Sequence, residues 1–553
     1  MPDFSSSVVY QIYPRSFADT TATGTGDLPG VIGKLDYLAD LGVDYVWLTP
    51  VFPSPGIDNG YDVADYCAID PQFGTLDDLD RLIAAGRERG IGVILDMVFN
   101  HTSTSHPWFR RALAGDPTYL DYYHFVEGSP TKPPTNWQSK FGGPAWEYVP
   151  KLKRWYLHLF DRTQADLNWD NPAVRREVAE VVRWWKRRGV AGFRFDVVNL
   201  ISKPEHWISD DSGDGRRFYT DGPHVHDYIA ELVDRAGIGE DLTVGEMSST
   251  SLEECVRYSN PQSHELAMTF NFHHLKVDYA DGDKWAVCAP DIPRLRELLS
   301  TWQQGMAAGG GCQALFWNNH DQPRALTRFD TTGGAYRDQI ARMLAVVTFT
   351  MRGVPFIYQG DELGLPDPCY GSLSDYRDVE SLNYARILRE RGMSDDDILA
   401  VIQARSRDNG RVPVPWDDTA TCGFSEATPW LAIPPSFRQL NAAAARRDPT
   451  SLWHLYRDLI RWRKRHRVLT EGDVRFLPVR DADVIAYERT HGTHRVVVVT
   501  SWCARQATGI DAAEVDDLSE ITAWATAPLA AVTETVDLAP YQVRVFATAS
   551  LHP

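Results

Sequence analysis

The sequence predicts an α/β protein: a (β/α)8 TIM barrel with an inserted subdomain after strand 3 and a C-terminal antiparallel β-sandwich domain. Three observations carry this expectation. Helix-period segments alternate with short apolar strands across short links, the pattern of a parallel sheet covered by helices, and over more than about 400 residues a closed eight-stranded barrel is the favoured solution. The alternation breaks between His101 and about Asp170, where Pro, Gly, Trp and Tyr are frequent and helical period is weak. It stops after about Thr470, where short alternating strands such as VIAYER, HRVVVVTSW and YQVRVFA take over. The predicted division is a barrel over 1–100 and 171–470, an insertion over 101–170 and a β domain over 471–553.

Taken in order, LPGVIGKLDYLADLG places Val31, Leu35, Leu38 and Leu41 at helical spacing before Gly42 ends the helix. DYVWLTPVF follows as a buried strand. Thr75 and Asp78 form a capping box ahead of Leu79, Leu82 and Ile83, Gly90 stops that helix, and VILDMVF is the next strand. Asn171 caps a helix opening at Pro172 that runs through VRREVAEVVRWWKRRG into the strand AGFRFDVVNL. Later strands are LTVGEMS (242–248), ALFWNNHD (314–321) and VPFIYQG (354–360).

Composition narrows the function classes. A chain of 553 residues allows two to four domains, and 43% hydrophobic with 24% charged residues are ordinary globular values. The net charge of −19 argues against nucleic acid or an anionic membrane as partner, and makes any local cluster of cations informative. The seven cysteines are scattered and odd in number without a CxxC pair, which fits reduced thiols. The start MPDFSSSVVYQIYPRSF lacks a basic n-region and apolar h-region, and the longest apolar run, Met343 to Met351, is too short to span a bilayer. The expectation is a cytoplasmic protein. The 18 tryptophans and 23 tyrosines are suggestive of sugar binding.

Chemistry concentrates at the strand ends. A strand turns alternate side chains to one face, so Arg194 and Asp196 share a face while Phe193, Phe195 and Val197 pack on the other. A carboxylate beside a guanidinium keeps its charge, as a nucleophile requires; a structural ion pair at a strand terminus fits the same residues. Asp96, Asn100 and His101, then Glu246, then His320 and Asp321 occupy the equivalent ends of other strands, where barrel active sites form. Four carboxylates, two histidines and one arginine gathered there favour catalysis over packing.

DMVFNH (96–101), GFRFDVV (192–198), GEMS (245–248) and FWNNHD (316–321) resemble, in order and spacing, the four motifs of the α-amylase family of retaining α-glucosidases, glycoside hydrolase family 13. The resemblance implies Asp196 as nucleophile, Glu246 as general acid and base, and Asp321 as the carboxylate that steadies the distorted ring, with His101, Arg194 and His320 on sugar hydroxyls. A retaining glycosidase needs one ionised carboxylate beneath the anomeric carbon and one protonated carboxyl at the leaving oxygen. DNGYD (58–62) and SRDNGR (406–411) resemble the elements that close the first sugar site, with Asp58 and Arg407 paired and Tyr61 stacked on the ring. Val197, just after the nucleophile, goes in that family with non-α-1,4 linkages. Relatives bind calcium or magnesium in the loop DTTATGTGD (19–27), but Thr21 and Thr23 stand at the middle liganding positions here. Hydroxyls are poorer ligands for a hard cation, so no tightly held metal and no cofactor are expected.

The leaving-group side rests on MTFNFHHLKVDY (268–279). His273, His274, Lys276 and nearby Lys284 make a cationic cluster in an acidic chain, and a phosphate is the natural anion for it. With GEMSSTSLE, DVVNLISK, SGDGRRFYTDGP and YRDVESLN, the stretch resembles the phosphotrehalase branch of the family, which implies cleavage of the α,α-1,1 bond of trehalose 6-phosphate. Arg216, Arg217 and Lys203 are further candidate cations. The expected partner is thus a small, phosphorylated disaccharide acted on by a monomer. Oligo-1,6-glucosidase or sucrose-isomerising activity on neutral disaccharides is the alternative; a non-catalytic transporter subunit is disfavoured by the retained carboxylates.

Overall fold

A computed structural model describes residues 2–211, 213–522 and 529–551. Eight strands form its centre: β1 (Val9–Ile12), β2 (Tyr45–Leu48), β3 (Gly92–Met97), β4 (Gly192–Phe195), β5 (Leu242–Glu246), β6 (Met268–Phe270), β7 (Ala314–Leu315) and β8 (Val354–Tyr358). They pair in parallel in the order β6-β5-β4-β3-β2-β1-β8-β7, and a parallel bridge between Thr269 and Gln313 joins β6 to β7. That bridge closes the barrel.

Each strand leads, in several cases through shorter helices, to one helix of the outer layer: α1 (Leu35–Leu41), α2 (Leu76–Glu88), α3 (Pro172–Arg187), α4 (Val225–Ala236), α5 (Leu252–Ser259), α6 (Ile292–Ala308), α7 (Arg337–Thr350) and α8 (Leu452–Arg465). The local signals operate as read. Thr75 and Asp78 exchange both bonds of the capping box, Asn171 caps Ala173, and Gly42 ends α1 at φ 99°. The single helix predicted over 28–41 is two, Leu28–Ile32 and α1, because Gly33 closes the first and Lys34 restarts the chain outside helical geometry. The predicted strand 314–321 is also shorter: only Ala314 and Leu315 pair, after which the side chains of Asn318 and Asn319 bond to Asp361 and to the Asp321 N–H.

Between β3 and α3, His101–Ser103 pairs with Gln164–Asp166, and Phe125–Glu127, Arg154–Leu157 and Trp146–Val149 form a three-stranded sheet. Trp137, Trp146 and Leu157 pack there with Val197, Leu200 and Tyr219 of the β4–α4 connection, so this segment sits against the loop that carries Asp196. At the C-terminal end, a five-stranded antiparallel sheet faces the pair Ala507–Asp511 and Thr535–Leu538, with Val484, Val497 and Val499 buried against Ile510, Val536 and Leu538. We propose the division at 101–170 and 471–553 on the strength of the sheets that each segment forms apart from the barrel, while side chains of both also pack into the barrel's core. Arg489 ties the β domain to the barrel by donating to the carbonyls of Thr350, Leu469 and Gly472. Among the described residues, no helix is long and apolar enough to cross a membrane.

Candidate active site

The strand ends of the barrel deliver polar side chains to one cavity of about 250 Å³, lined by Asp58, Tyr61, His101, Asp196, Glu246, Asp321 and Arg407 at its buried end and by Ser248, Lys276 and Lys284 at its exposed end. Phe141 and Phe160 of the inserted segment wall one side. β4 carries Arg194 and ends at Phe195; Asp196 follows it directly, its N–H on the Met97 carbonyl at 3.0 Å and its carboxylate on the Arg194 guanidinium. The Arg194 guanidinium, 1% exposed, joins carboxylates from three neighbouring strands: Nη1 to Asp96 Oδ1 at 2.7 Å, Nη1 to Asp196 Oδ1 at 2.6 Å, and Nη2 to Glu246.

One cation among three carboxylates leaves an excess of negative charge, which a shared proton relieves. Burial pushes the Asp96 carboxyl up and Arg194 pulls it back. Yet every group touching its oxygens is a donor: Arg194 on Oδ1, the Tyr61 hydroxyl at 2.9 Å and the Trp47 indole at 3.2 Å on Oδ2. Three donors on one carboxylate favour its ionised form against that burial. Asp196 and Glu246 both open onto the cavity. Val197 follows Asp196 at φ 36°, a left-handed conformation that costs a β-branched residue about 1–3 kcal/mol and bends the chain away immediately after the carboxylate.

His320 is fully buried and stacks on Tyr61, with centroids 5.1 Å apart. Gln11 Nε2 donates to its Nδ1 at 2.7 Å, which sets the tautomer and leaves Nε2–H facing Asp321 Oδ2 at 3.3 Å with no hydrogen-bond partner among the described residues. Burial pushes His320 down to about 3, so the ring is neutral. Burial alone would raise Asp321, but the Nε2–H of His320 turned toward it and the charges of Arg407 and Arg411 outweigh it and hold the carboxyl well below the usual carboxylate range. Arg411 Nη2 stands 2.8 Å from Asp321 Oδ1. His101 donates from Nε2 to the Tyr61 carbonyl at 3.1 Å, and burial keeps it neutral as well.

Asp58 and Arg407 meet at 2.8 Å and close the buried end. Arg407 also grips Asp378 at 2.6 Å, and Gln164 donates to Asp58 at 3.0 Å. Burial raises Asp58 to about 7 in spite of Arg407. Breaking a buried pair strands its partners, so Arg407→Ala is expected to lower stability by about 3 kcal/mol, read as a shift in the urea unfolding midpoint. An unchanged midpoint would show that Asp58 and Asp378 do not depend on it.

The outer cations separate into two groups. Lys276 is exposed at the cavity mouth, and among the described residues no carboxylate pairs with it; Lys284 lines the same end but is held by Glu380 at 2.6 Å. His273 and His274 are not brought to the mouth. His273 Nε2 bonds the Thr250 carbonyl at 2.9 Å and stacks on Trp302, while His274 Nε2 bonds the Phe316 carbonyl at 2.8 Å, and burial pushes His274 down to about 4. Two neutral rings turned onto backbone carbonyls cannot attract an anion. Lys203 is buried against Asp166 at 2.9 Å, Arg216 pairs with Asp214 at 2.8 Å and Arg217 with Asp210 at 3.0 Å. Sequence reading missed Asp378, Gln164, Phe141 and Phe160, all supplied by long connections without period. The YRDVE segment was the one signal that contained Asp378.

In the loop 19–27, Asp19 accepts from the Thr21 and Gly24 N–H groups and from the Ser425 hydroxyl, and Asp27 from the Thr20 and Gly30 N–H groups. Both carboxylates are turned onto protein donors and the intervening hydroxyls belong to Thr21 and Thr23, so the residues present fit a divalent cation poorly. Dialysis against EDTA is expected to leave the melting temperature unchanged. A fall that added calcium reverses would contradict this.

Comparison with known proteins agrees with this geometry. The model of the alpha amylase catalytic domain matches residues 11–472. The trehalose-6-phosphate hydrolase of Bacillus subtilis (strain 168) is 49% identical over 509 residues, 92% of this chain and 91% of that protein. The oligo-1,6-glucosidase of Parageobacillus thermoglucosidasius is 41% identical over 508 residues, 90% of each chain. The crystal structure of Bacillus licheniformis trehalose-6-phosphate hydrolase superposes with a TM-score of 0.93 at 44% identity, covering 99% of this chain and 100% of that one. With its closed barrel and three strand-end carboxylates, the chain belongs to the α-amylase family.

Proposed function

We propose that this glycoside hydrolase cleaves the α,α-1,1 bond of trehalose 6-phosphate to glucose and glucose 6-phosphate, with retention of configuration. The observation that carries the mechanism is the single buried guanidinium of Arg194 shared by Asp196 and Glu246 at adjacent strand ends. Held by one fork, two carboxyls flank one bond, as in retaining enzymes, where they stand about 5–5.5 Å apart. The substrate reading is supported by the likeness to trehalose-6-phosphate hydrolases and by Lys276 at the mouth, which pairs with no carboxylate among the described residues.

The glucose to be transferred lies at the closed end, its hydroxyls on Asp58, Arg407, His101 and His320 and its ring against Tyr61. Asp196 attacks the anomeric carbon while Glu246 gives its proton to the bridging oxygen, and glucose 6-phosphate leaves. Arg194 offsets the charge of Asp196 before the attack and that of Glu246 after it. Water then gives a proton to Glu246 and attacks the same carbon, freeing Asp196 and α-glucose. Asp321, kept anionic by His320, Arg407 and Arg411, faces the positive charge that builds on the ring in both steps. Because the Asp58–Arg407 pair closes the pocket behind one sugar, only a terminal glucose reaches the carboxylates and long polymers are poor substrates.

Glucose release from trehalose 6-phosphate, trehalose and isomaltose at equal concentration tests the substrate. Trehalose 6-phosphate is expected to be turned over at least about tenfold faster, the worth of one or more charge-assisted bonds to phosphate. Preference for either neutral sugar overturns the phosphate reading and favours the oligo-1,6-glucosidase alternative.

A further inference from the structure

Lys140 comes from the inserted segment and none of the cations discussed so far includes it. Its Nζ donates to Ser248 Oγ at 3.0 Å and lies 5.7 Å from the centre of the Tyr219 ring. Ser248 lines the cavity two residues beyond Glu246, and its backbone is fixed at both ends by Asn199, whose Oδ1 accepts from the Ser248 N–H at 2.9 Å and whose Nδ2 donates to the Ser248 carbonyl at 3.0 Å. The lysine therefore approaches the mouth of the pocket along a rigid edge.

The charges that face Lys140 are Arg216 and Lys276, both positive, and Asp214 and Asp166, both negative. Asp214 is taken up by Arg216 and Asp166 by Lys203. Among the described residues, neither Lys140 nor Lys276 has a carboxylate within ion-pair distance, and Arg216 disfavours the charge of both. Two ammonium groups from separate segments thus converge with a serine hydroxyl on one side of the pocket, in a chain whose net charge is −19. An anion between them removes their repulsion and accepts from all three groups at once.

We propose that Lys140 is a specificity-determining residue that, with Ser248 and Lys276, seats the phosphate on the leaving sugar. This rests on the reading that the substrate is phosphorylated. It also brings a pH dependence. Burial among protein atoms, with Arg216 and Lys276 adding to it against Asp214 and Asp166, pushes Lys140 down to about 7. A phosphomonoester is a dianion above about pH 6. The free enzyme loses the lysine charge as pH rises through about 7, so binding of the dianion must then take up a proton, and affinity for the phosphorylated substrate falls while that for a neutral one does not.

The test is KM and kcat of wild type, K140A and K140R on trehalose 6-phosphate and on neutral p-nitrophenyl α-glucoside, at about pH 6.5 and about pH 8.5. At the lower pH, K140A should raise KM for trehalose 6-phosphate about tenfold or more while leaving that for the neutral glucoside within about twofold. K140R should restore the lower KM and abolish its alkaline rise, because arginine stays charged. An equal change on both substrates, an unchanged KM on the phosphorylated one, or a K140R profile that still rises like wild type overturns the proposal. A wild type that fails to prefer trehalose 6-phosphate over trehalose overturns the substrate reading instead, whatever the variants do.

Discussion

Asp196→Asn is expected to reduce kcat on every glucoside by about ten-thousand-fold or more, the order seen when a covalent nucleophile is removed. The amide has the size of the carboxylate and keeps an oxygen for Arg194 Nη1, and Arg194 keeps Asp96 and Glu246 as partners, so folding survives. Thermal melting within a few degrees of wild type, with glucose release at the detection limit, is the expected pair of results. Near-normal turnover would return Asp196 to the role of a structural ion pair, the other reading that AGFRFDVVNL allows.

Glu246→Gln separates the two halves of the reaction. Loss of a general acid costs about a hundred- to ten-thousand-fold, and the full loss should appear on trehalose 6-phosphate, whose leaving sugar needs a proton. With p-nitrophenyl α-glucoside the leaving group departs without one. Formation of the glycosyl-enzyme then proceeds while its hydrolysis, which needs Glu246 as base, stalls. A burst of p-nitrophenolate followed by a slow steady state is expected, and azide, which needs no base, should speed the second phase and yield α-glucosyl azide. Equal losses on both substrates without a burst would assign the acid to another residue.

Much of this architecture was legible because the physics is local. Buried parallel strands appear as apolar runs between helix stops, and Thr75, Asn171 and Gly42 mark helix ends by bonds made within four residues. Strand alternation anticipates the pairing of Arg194 with Asp196, although the strand itself ends at Phe195 and Val197 turns left-handed instead of continuing it. What escaped depends on partners distant in the chain. His273 and His274 look like cations beside Lys276, but the carbonyls of Thr250 and Phe316 claim their ring nitrogens, and no spacing within 268–279 announces that. Lys140 sits in a Pro- and Gly-rich insertion without period, so its approach to Ser248, 108 residues on, appears only when the barrel closes. The early end of β7 has the same origin: Asn318 and Asn319 leave the sheet to bond side chains and loops of the site.

The stereochemistry of the first product tests the central claim most directly. In an α,α-1,1 disaccharide the departing glucose 6-phosphate keeps its own anomeric bond and appears as the α form whatever the mechanism, so only the free glucose reports on the reacting carbon. Proton NMR during the first minutes of trehalose 6-phosphate hydrolysis, before mutarotation, should show α-glucose, the outcome of two displacements through Asp196. Initial β-glucose would mean a single displacement by water and would contradict the assignment of Asp196 and Glu246 together.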